Sequence, residues 1–312
     1  MKESRLEKLR GNGKFFFDLI VTDRVKTNVL QAIPFWMASL LTGLVAVGYT
    51  KLFGYSESLL QKTLHWHTWS IFIVTPVCFF LAWWVIQKFA PNAKGSGIPQ
   101  VMAAIELASP KHDEKIGKLL SLRILIVKIA SSLFMVLGGG AIGREGPTIQ
   151  IAGSVFRMVN KITPSSWPKL SKQNFILTGA AAGLAAAFNT PLGGVVFAME
   201  ELARIHVRFF RTALFSAVII AGLTAQAFLG PYLYLGYPDV RNLQFSVFLA
   251  VAVAAVASGL LGSATSRLIL RIMKWKKTFS NSKAILFVVV AGLVIALIAY
   301  FLNAAILGSG KD

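Results

Sequence analysis

Three stretches carry the residues whose types and spacing could do chemistry. They are Gly95-Ser96-Gly97-Ile98-Pro99, Gly143-Arg144-Glu145-Gly146-Pro147, and Asn189-Thr190-Pro191, with Glu200 and Glu201 following the third. Each interrupts an apolar segment and then opens a new helical run at a proline. A helix start exposes unpaired N–H groups and about half a positive charge, and glycines let an ion come close to that backbone. Ser96 adds a hydroxyl donor, and Pro99 suits a first turn where its missing N–H costs nothing. The first stretch is therefore either a site for a small anion held by dipoles or a plain glycine-rich turn. Glu145 stands at the second start, at a position where an acid also serves as a simple cap. A carboxylate there occupies the place an anion would take, and protonation removes the competitor. One residue would thus gate an anion path and carry a proton. Glu200 and Glu201 end the run begun at Pro191, and acids are unfavourable at a helix C-terminus. Arg204 lies four residues after Glu200 and suits it as a partner, which leaves Glu201 as the candidate for proton entry.

The elements that must position these residues are apolar. The chain is 55% hydrophobic and only 14% charged, against about 25% charge in a soluble domain, and its mean hydropathy is +0.64. Nearly uncharged runs cover Ile33–Leu52, Ser70–Phe89, Ile124–Leu137, Thr212–Leu229, Phe245–Ile269 and Ala284–Leu302. Most approach the roughly 20 residues that cross a hydrocarbon core. The fold class expected is an all-α integral membrane protein that crosses several times. The net charge of +19 does not indicate nucleic acid, because the basic residues cluster between apolar runs as cytoplasmic loops do. The N-terminus, with Lys2, Arg5, Lys8, Arg10 and Lys14, is placed in the cytoplasm. Residues 1–30 are expected to form an interfacial segment and residues 31–312 the membrane domain. Within the first, a helix over 14–30 would dip Phe15, Phe16 and Phe17 into lipid.

From that start, segment 33–52 goes out and 70–89 returns, and a short apolar helix over 98–108 is only partly inserted. Segment 124–137 rises and breaks at Gly138-Gly139-Gly140. A helix of about a dozen residues then begins at Pro147 and ends near Arg157 and Lys161, covering about 18 Å. Segment 174–188 rises, breaks at Asn189, and a second short helix leads to Glu200 and Glu201. Segments 212–235, 245–270 and 284–302 follow. Irregular backbone at membrane depth is tolerated where it lines a wet cavity or is buried in protein, and transporters use such breaks to aim helix ends at a substrate. Phe89–Gly97 reads FAPNAKGSG and Phe301–Gly310 reads FLNAAILGSG. These two matching stretches face opposite sides in this topology, as an inverted repeat requires.

Other chemistries find little support. Gly138-x-Gly140-x-x-Gly143 matches a dinucleotide fingerprint but lacks a preceding strand. Lys94-Gly95-Ser96-Gly97 resembles a serine nucleophile, yet His65, His67, His112 and His206 all lie outside the membrane runs where a base would be needed. The lone Cys78 makes no disulfide within the chain and no cysteine metal site. No enzyme and no cofactor is expected.

The three motifs, with Gly179-Ala180-Ala181-Ala182-Gly183 before Asn189, closely resemble the signatures of the CLC chloride channels and transporters. The similarity runs from about residue 30 to the end. It implies a CLC-like bundle of full-length, tilted and broken helices: the first inverted repeat and the start of the second. By resemblance, Gly95, Ser96, Gly97, Ile98 and Pro99 would bind chloride. Glu145 would be the external gate, with Gly143, Arg144, Gly146 and Pro147 shaping its helix start. Glu201 would be the internal glutamate typical of proton-coupled exchangers. The partners implied are chloride, protons and the lipid of a cell membrane, without nucleic acid. Members are homodimers, and segments 191–203 and 212–230 would lie at the interface. The function implied is proton/chloride antiport. A passive channel is one alternative, and a transport-inactive membrane fragment is the other, because the second half that completes the chloride site in the family is missing.

Overall fold

The computed structural model describes residues 23–108, 112–164, 166–168, 171–202, 211–230, 246–302 and 307–308. The helices are α1 (Asp23–Trp66), α2 (Ile71–Phe89), α3 (Ile98–Glu106), α4 (Asp113–Leu119), α5 (Leu122–Leu137), α6 (Glu145–Ile162), α7 (Lys172–Phe188), α8 (Pro191–Phe197), α9 (Arg211–Leu229), α10 (Ser246–Lys276) and α11 (Asn281–Phe301). No strand occurs among the described residues. Five stretches among them are long and apolar enough to cross a membrane.

Polarity is arranged as lipid demands. Leu40, Leu44, Ile73, Val77, Ile126 and Leu223 are exposed, whereas Ser39, Thr42, Thr75, Lys128, Ser132, Thr148, Gln150, Ser154 and Thr178 are buried. A bundle in hydrocarbon gains nothing by hiding leucine and must satisfy its polar groups internally. The main core joins α1, α3, α6, α7 and α9 around Phe35, Phe156 and Phe175, with Phe35 stacked on Phe175 at 4.0 Å. Close approach between α6 and α7 depends on Gly183, where a Cβ would lie 2.6 Å from Ala152 Cβ and 3.0 Å from the Thr148 carbonyl oxygen.

Two of the expected boundaries are corrected. Segment 33–52 is the middle of a 44-residue helix, because α1 continues to Trp66. The helix expected to start at Pro147 and end after about a dozen residues begins at Glu145 and has 18 residues, about 27 Å of rise. Arg157 does not terminate it. The guanidinium is buried, donating to the Leu120 carbonyl at 3.1 Å and pairing with Asp113 at 3.2 Å, so charge continues inside the helix. The other breaks fall where expected. Helix α5 closes in a Schellman turn, with Gly139 N–H on the Val136 carbonyl and Gly140 N–H on the Met135 carbonyl, both 2.8 Å, and Gly139 left-handed. Helix α7 ends at left-handed Asn189, and Pro191 opens α8.

The repeat has a counterpart in packing. Phe72 meets Tyr300, ring centroids 5.4 Å apart, and a Cβ at Gly292 would lie 2.9 Å from Pro76 Cα. Helices α2 and α11, which precede the two matching stretches, therefore run antiparallel. Much of the interfacial segment, Arg204, Arg208 and most of the second Gly-Ser-Gly lie outside the described residues.

Candidate functional site

The first two motifs meet. Gly97 caps α3 with φ 111° and ψ −29°, a conformation glycine adopts without penalty. Its missing side chain makes room for α6: a Cβ there would lie 2.8 Å from the Gly146 carbonyl oxygen and 2.9 Å from Gln150 Cβ. In return, a Cβ on Gly146 would lie 2.8 Å from both the backbone oxygen and Oγ of Ser96. The starts of α3 and α6 thus abut main chain to main chain. Ser96 is exposed, and its Oγ accepts a long bond from the Ile98 N–H at 3.4 Å.

Glu145 is the first residue of α6. Its carboxylate is folded back against Gly143, the position where a side chain would collide with Glu145 Oε2. The other oxygen, Oε1, is buried without a hydrogen-bond partner. Buried Arg144 precedes it, and the Arg144 carbonyl accepts from the N–H and hydroxyl of Thr148 at 3.0 and 2.7 Å. Gly143 is exposed and Pro147 buried.

Three side chains at this site were not singled out from sequence. Lys128 of α5 is buried; its ammonium donates to the Ala93 carbonyl at 2.9 Å and to the Gly95 carbonyl. It forms no ion pair among the described residues, so its positive charge is left beside the glycine turn. Gln150 of α6 is fully buried and donates to the Leu119 carbonyl at 3.1 Å and the Asn92 carbonyl at 3.4 Å, while its Oε1 has no partner. Lys128 and Gln150 together fix the path of residues 92–95 into α3. Tyr49 of α1 donates to Ser132 Oγ at 2.9 Å, within electrostatic reach of Glu145. The available signal was Lys128 itself, a lone cation inside an apolar run.

The third motif contributes differently. Gly179 and Gly183 seat α7 on α6, where Cβ atoms would meet Phe156 and Ala152. Glu200 and Glu201 are exposed in a π-helical turn over Ala198–Leu202 that continues α8. Glu201 is not joined to Glu145 by any hydrogen bond or ion pair among the described residues. No three His, Cys, Asp or Glu side chains among the described residues gather to hold a metal. What the arrangement can do is hold an anion between two helix starts and a buried ammonium, with a carboxylate poised to compete for the same place.

Comparison with known proteins bears on the family and the fold. A family described as voltage gated chloride channel matches residues 78–312. The H(+)/Cl(-) exchange transporter ClcA of Salmonella arizonae is 28% identical over 284 residues, covering 88% of this chain and 58% of the relative. ClcA of Klebsiella pneumoniae strain 342 is 30% identical over 258 residues, covering 80% of this chain and 52% of that protein. The chain thus spans little more than half the length of these curated relatives. A slow cyanobacterial Cl-/H+ antiporter superposes with TM-score 0.74 at 22% identity over 90% of this chain and 65% of the other. A CLC-type fluoride/proton antiporter does so with TM-score 0.65 at 21% identity, covering 90% of this chain and 67% of that one. The fold is that of the CLC transporters.

Proposed function

The chain belongs to the voltage gated chloride channel family, and from that premise we propose that it takes part in chloride transport across a cell membrane in exchange for protons. The observation that carries this reading is Glu145 at the first turn of α6, beside the α3 start at Gly95–Pro99. Chloride needs donors without strong covalent demands, and N–H groups at two converging helix starts supply them. The Ser96 hydroxyl and the Lys128 ammonium add to the same field. With Glu145 ionised, its carboxylate competes for that field. When Glu145 takes a proton, the competition ends and the anion enters, so anion and proton alternate at one place. Glu201 receives protons from the cytoplasmic side. Passive conduction is the second reading, and the presence of acids at both Glu145 and Glu201 favours exchange over it.

The relatives' names, H(+)/Cl(-) exchange transporter, support the choice of ions. The N-terminus is cytoplasmic in this reading. Exposed Leu192, Val196, Met199, Ile219 and Leu223 on α8 and α9 and the π turn between them supply an apolar face for a second copy, as a homodimer requires. The test is Glu145→Gln in proteoliposomes, with chloride flux and proton flux recorded together. The amide mimics the neutral acid and releases no proton, so chloride flux persists and proton movement stops. Chloride-driven proton pumping in that variant would remove Glu145 from the mechanism.

A further inference from the structure

Where α6 ends and α7 begins, the bundle encloses a cavity of about 510 Å³ that shares no lining residue with the anion site. Arg157, Lys161 and Lys172 line it, and Asp113 is the one acid among its described lining residues. Arg157 is 9% exposed and held in place by Leu120 and Asp113. Lys172 takes the other Asp113 oxygen at 2.8 Å. Lys161 is exposed and forms no ion pair among the described residues. One acid shared between two cations leaves the cavity with an excess of positive charge, and the N-terminus of α7 at Ser171 adds to it. The deeper wall is apolar, with Pro34, Ile116, Phe175 and Ile176 all buried.

A positive rim over an apolar wall, at the ends of membrane helices, complements a molecule that is anionic at one end and apolar at the other. Basic pockets between membrane helices on the cytoplasmic side bind lipid head groups. We propose that this cavity holds an anionic phospholipid, its phosphate among Lys161, Lys172 and Arg157, and its first acyl carbons against half-buried Ala108 and Pro168, in front of the buried wall. Arg157 lies about three turns beyond Glu145, roughly 18 Å along α6. The lipid therefore acts on how α4, α6 and α7 are held and does not touch the anion. The apolar wall selects a lipid over a soluble phosphate ester. This site requires only that the chain lie in a membrane and is independent of chloride exchange.

The full chain in nanodiscs of neutral phosphatidylcholine, titrated with phosphatidylglycerol and read by native mass spectrometry, tests it. Retention of phosphatidylglycerol over phosphatidylcholine is expected. Lys161→Glu should weaken it about tenfold or more. Lys115→Glu makes the same charge change on exposed α4 surface outside the cavity and should alter it by less than about twofold. Glycerol 3-phosphate should not compete. Equal losses in the two variants would reduce the effect to general surface attraction. Equal retention of phosphatidylcholine would leave an apolar pocket without head-group recognition, and competition by glycerol 3-phosphate would reassign the site to a soluble anion. Any of the three overturns the proposal.

Discussion

Replacing Gly97 with alanine tests whether the starts of α3 and α6 are keyed together through their main chains. The added Cβ would lie 2.8 Å from the Gly146 carbonyl oxygen, well inside the roughly 3.5 Å at which non-bonded atoms sit comfortably. One helix start must therefore move by about half an ångström, and neither does so freely. Helix α6 is seated on α7 at Gly183, and residues 92–95 are held by Lys128 and Gln150. Overpacking of this kind costs about 1–3 kcal/mol, and a φ of +111° adds about 1–2 kcal/mol for an L-residue. The Gly95→Ala variant separates the two effects. Gly95 has φ +76°, but its nearest neighbour would be Gln100 Nε2 at 3.9 Å, so only the conformational cost of about 1–2 kcal/mol applies. The assay is thermal unfolding in detergent, with chloride affinity measured by calorimetry on the same samples. Gly97→Ala should unfold at a lower temperature than Gly95→Ala and bind chloride about tenfold more weakly, the equivalent of 1.4 kcal/mol. Equal unfolding temperatures would refute the keying, and unchanged chloride affinity would show that these helix starts are not the donors.

Four further outcomes are expected. Gly183→Ala should destabilise the fold by about 1–3 kcal/mol, since its Cβ meets Ala152 and the Thr148 carbonyl. Gly48→Ala on α1, with no atom within 4 Å, should be neutral or stabilise by up to about 1 kcal/mol; comparison of unfolding temperatures decides. Lys128→Met should cost about 1–3 kcal/mol by leaving the Ala93 and Gly95 carbonyls without their donor, and should weaken chloride binding. An unchanged unfolding temperature would show those carbonyls are satisfied otherwise. Glu201→Gln should stop proton movement while sparing chloride flux in the same liposome assay, and intact coupling would return Glu201 to a surface role.

The sequence made the breaks legible and the helix lengths less so. Glycine, asparagine and proline act locally, so Gly138–Gly140, Asn189 and Pro191 fall where their backbone preferences put them. The end of α1 did not show, because Gly54 to Lys62 are polar enough to leave hydrocarbon yet contain no proline, and hydropathy registers the lipid boundary rather than the last helical turn. In the sequence Arg157 has the character of a surface charge, which predicts a shorter α6 than the 18 residues observed. Its partner Asp113 lies 44 residues earlier, and no local pattern announces such a pairing. Gln150 carries no local signal for a similar reason. Its role depends on the carbonyls of Asn92 and Leu119, which belong to other segments. Glu145 is visible because an acid two residues before a proline, at a break between apolar segments, is rare enough to need a reason.

The abutment of Ser96–Gly97 on Gly146 also bears on how this site tolerates mutation. In the proposed function its principal donors are amide groups of the backbone, and no point substitution deletes an amide except one to proline. Random change at Ile98, or after Pro147 at positions other than Gln150, should therefore leave the electropositive field largely standing. Lesions that reroute the chain, at Gly97, Gly146 or the Lys128 clamp, should weaken it most. A deep mutational scan of the region should accordingly show a broad plateau of mild effects, with the largest losses where two main chains touch and at the Lys128 clamp.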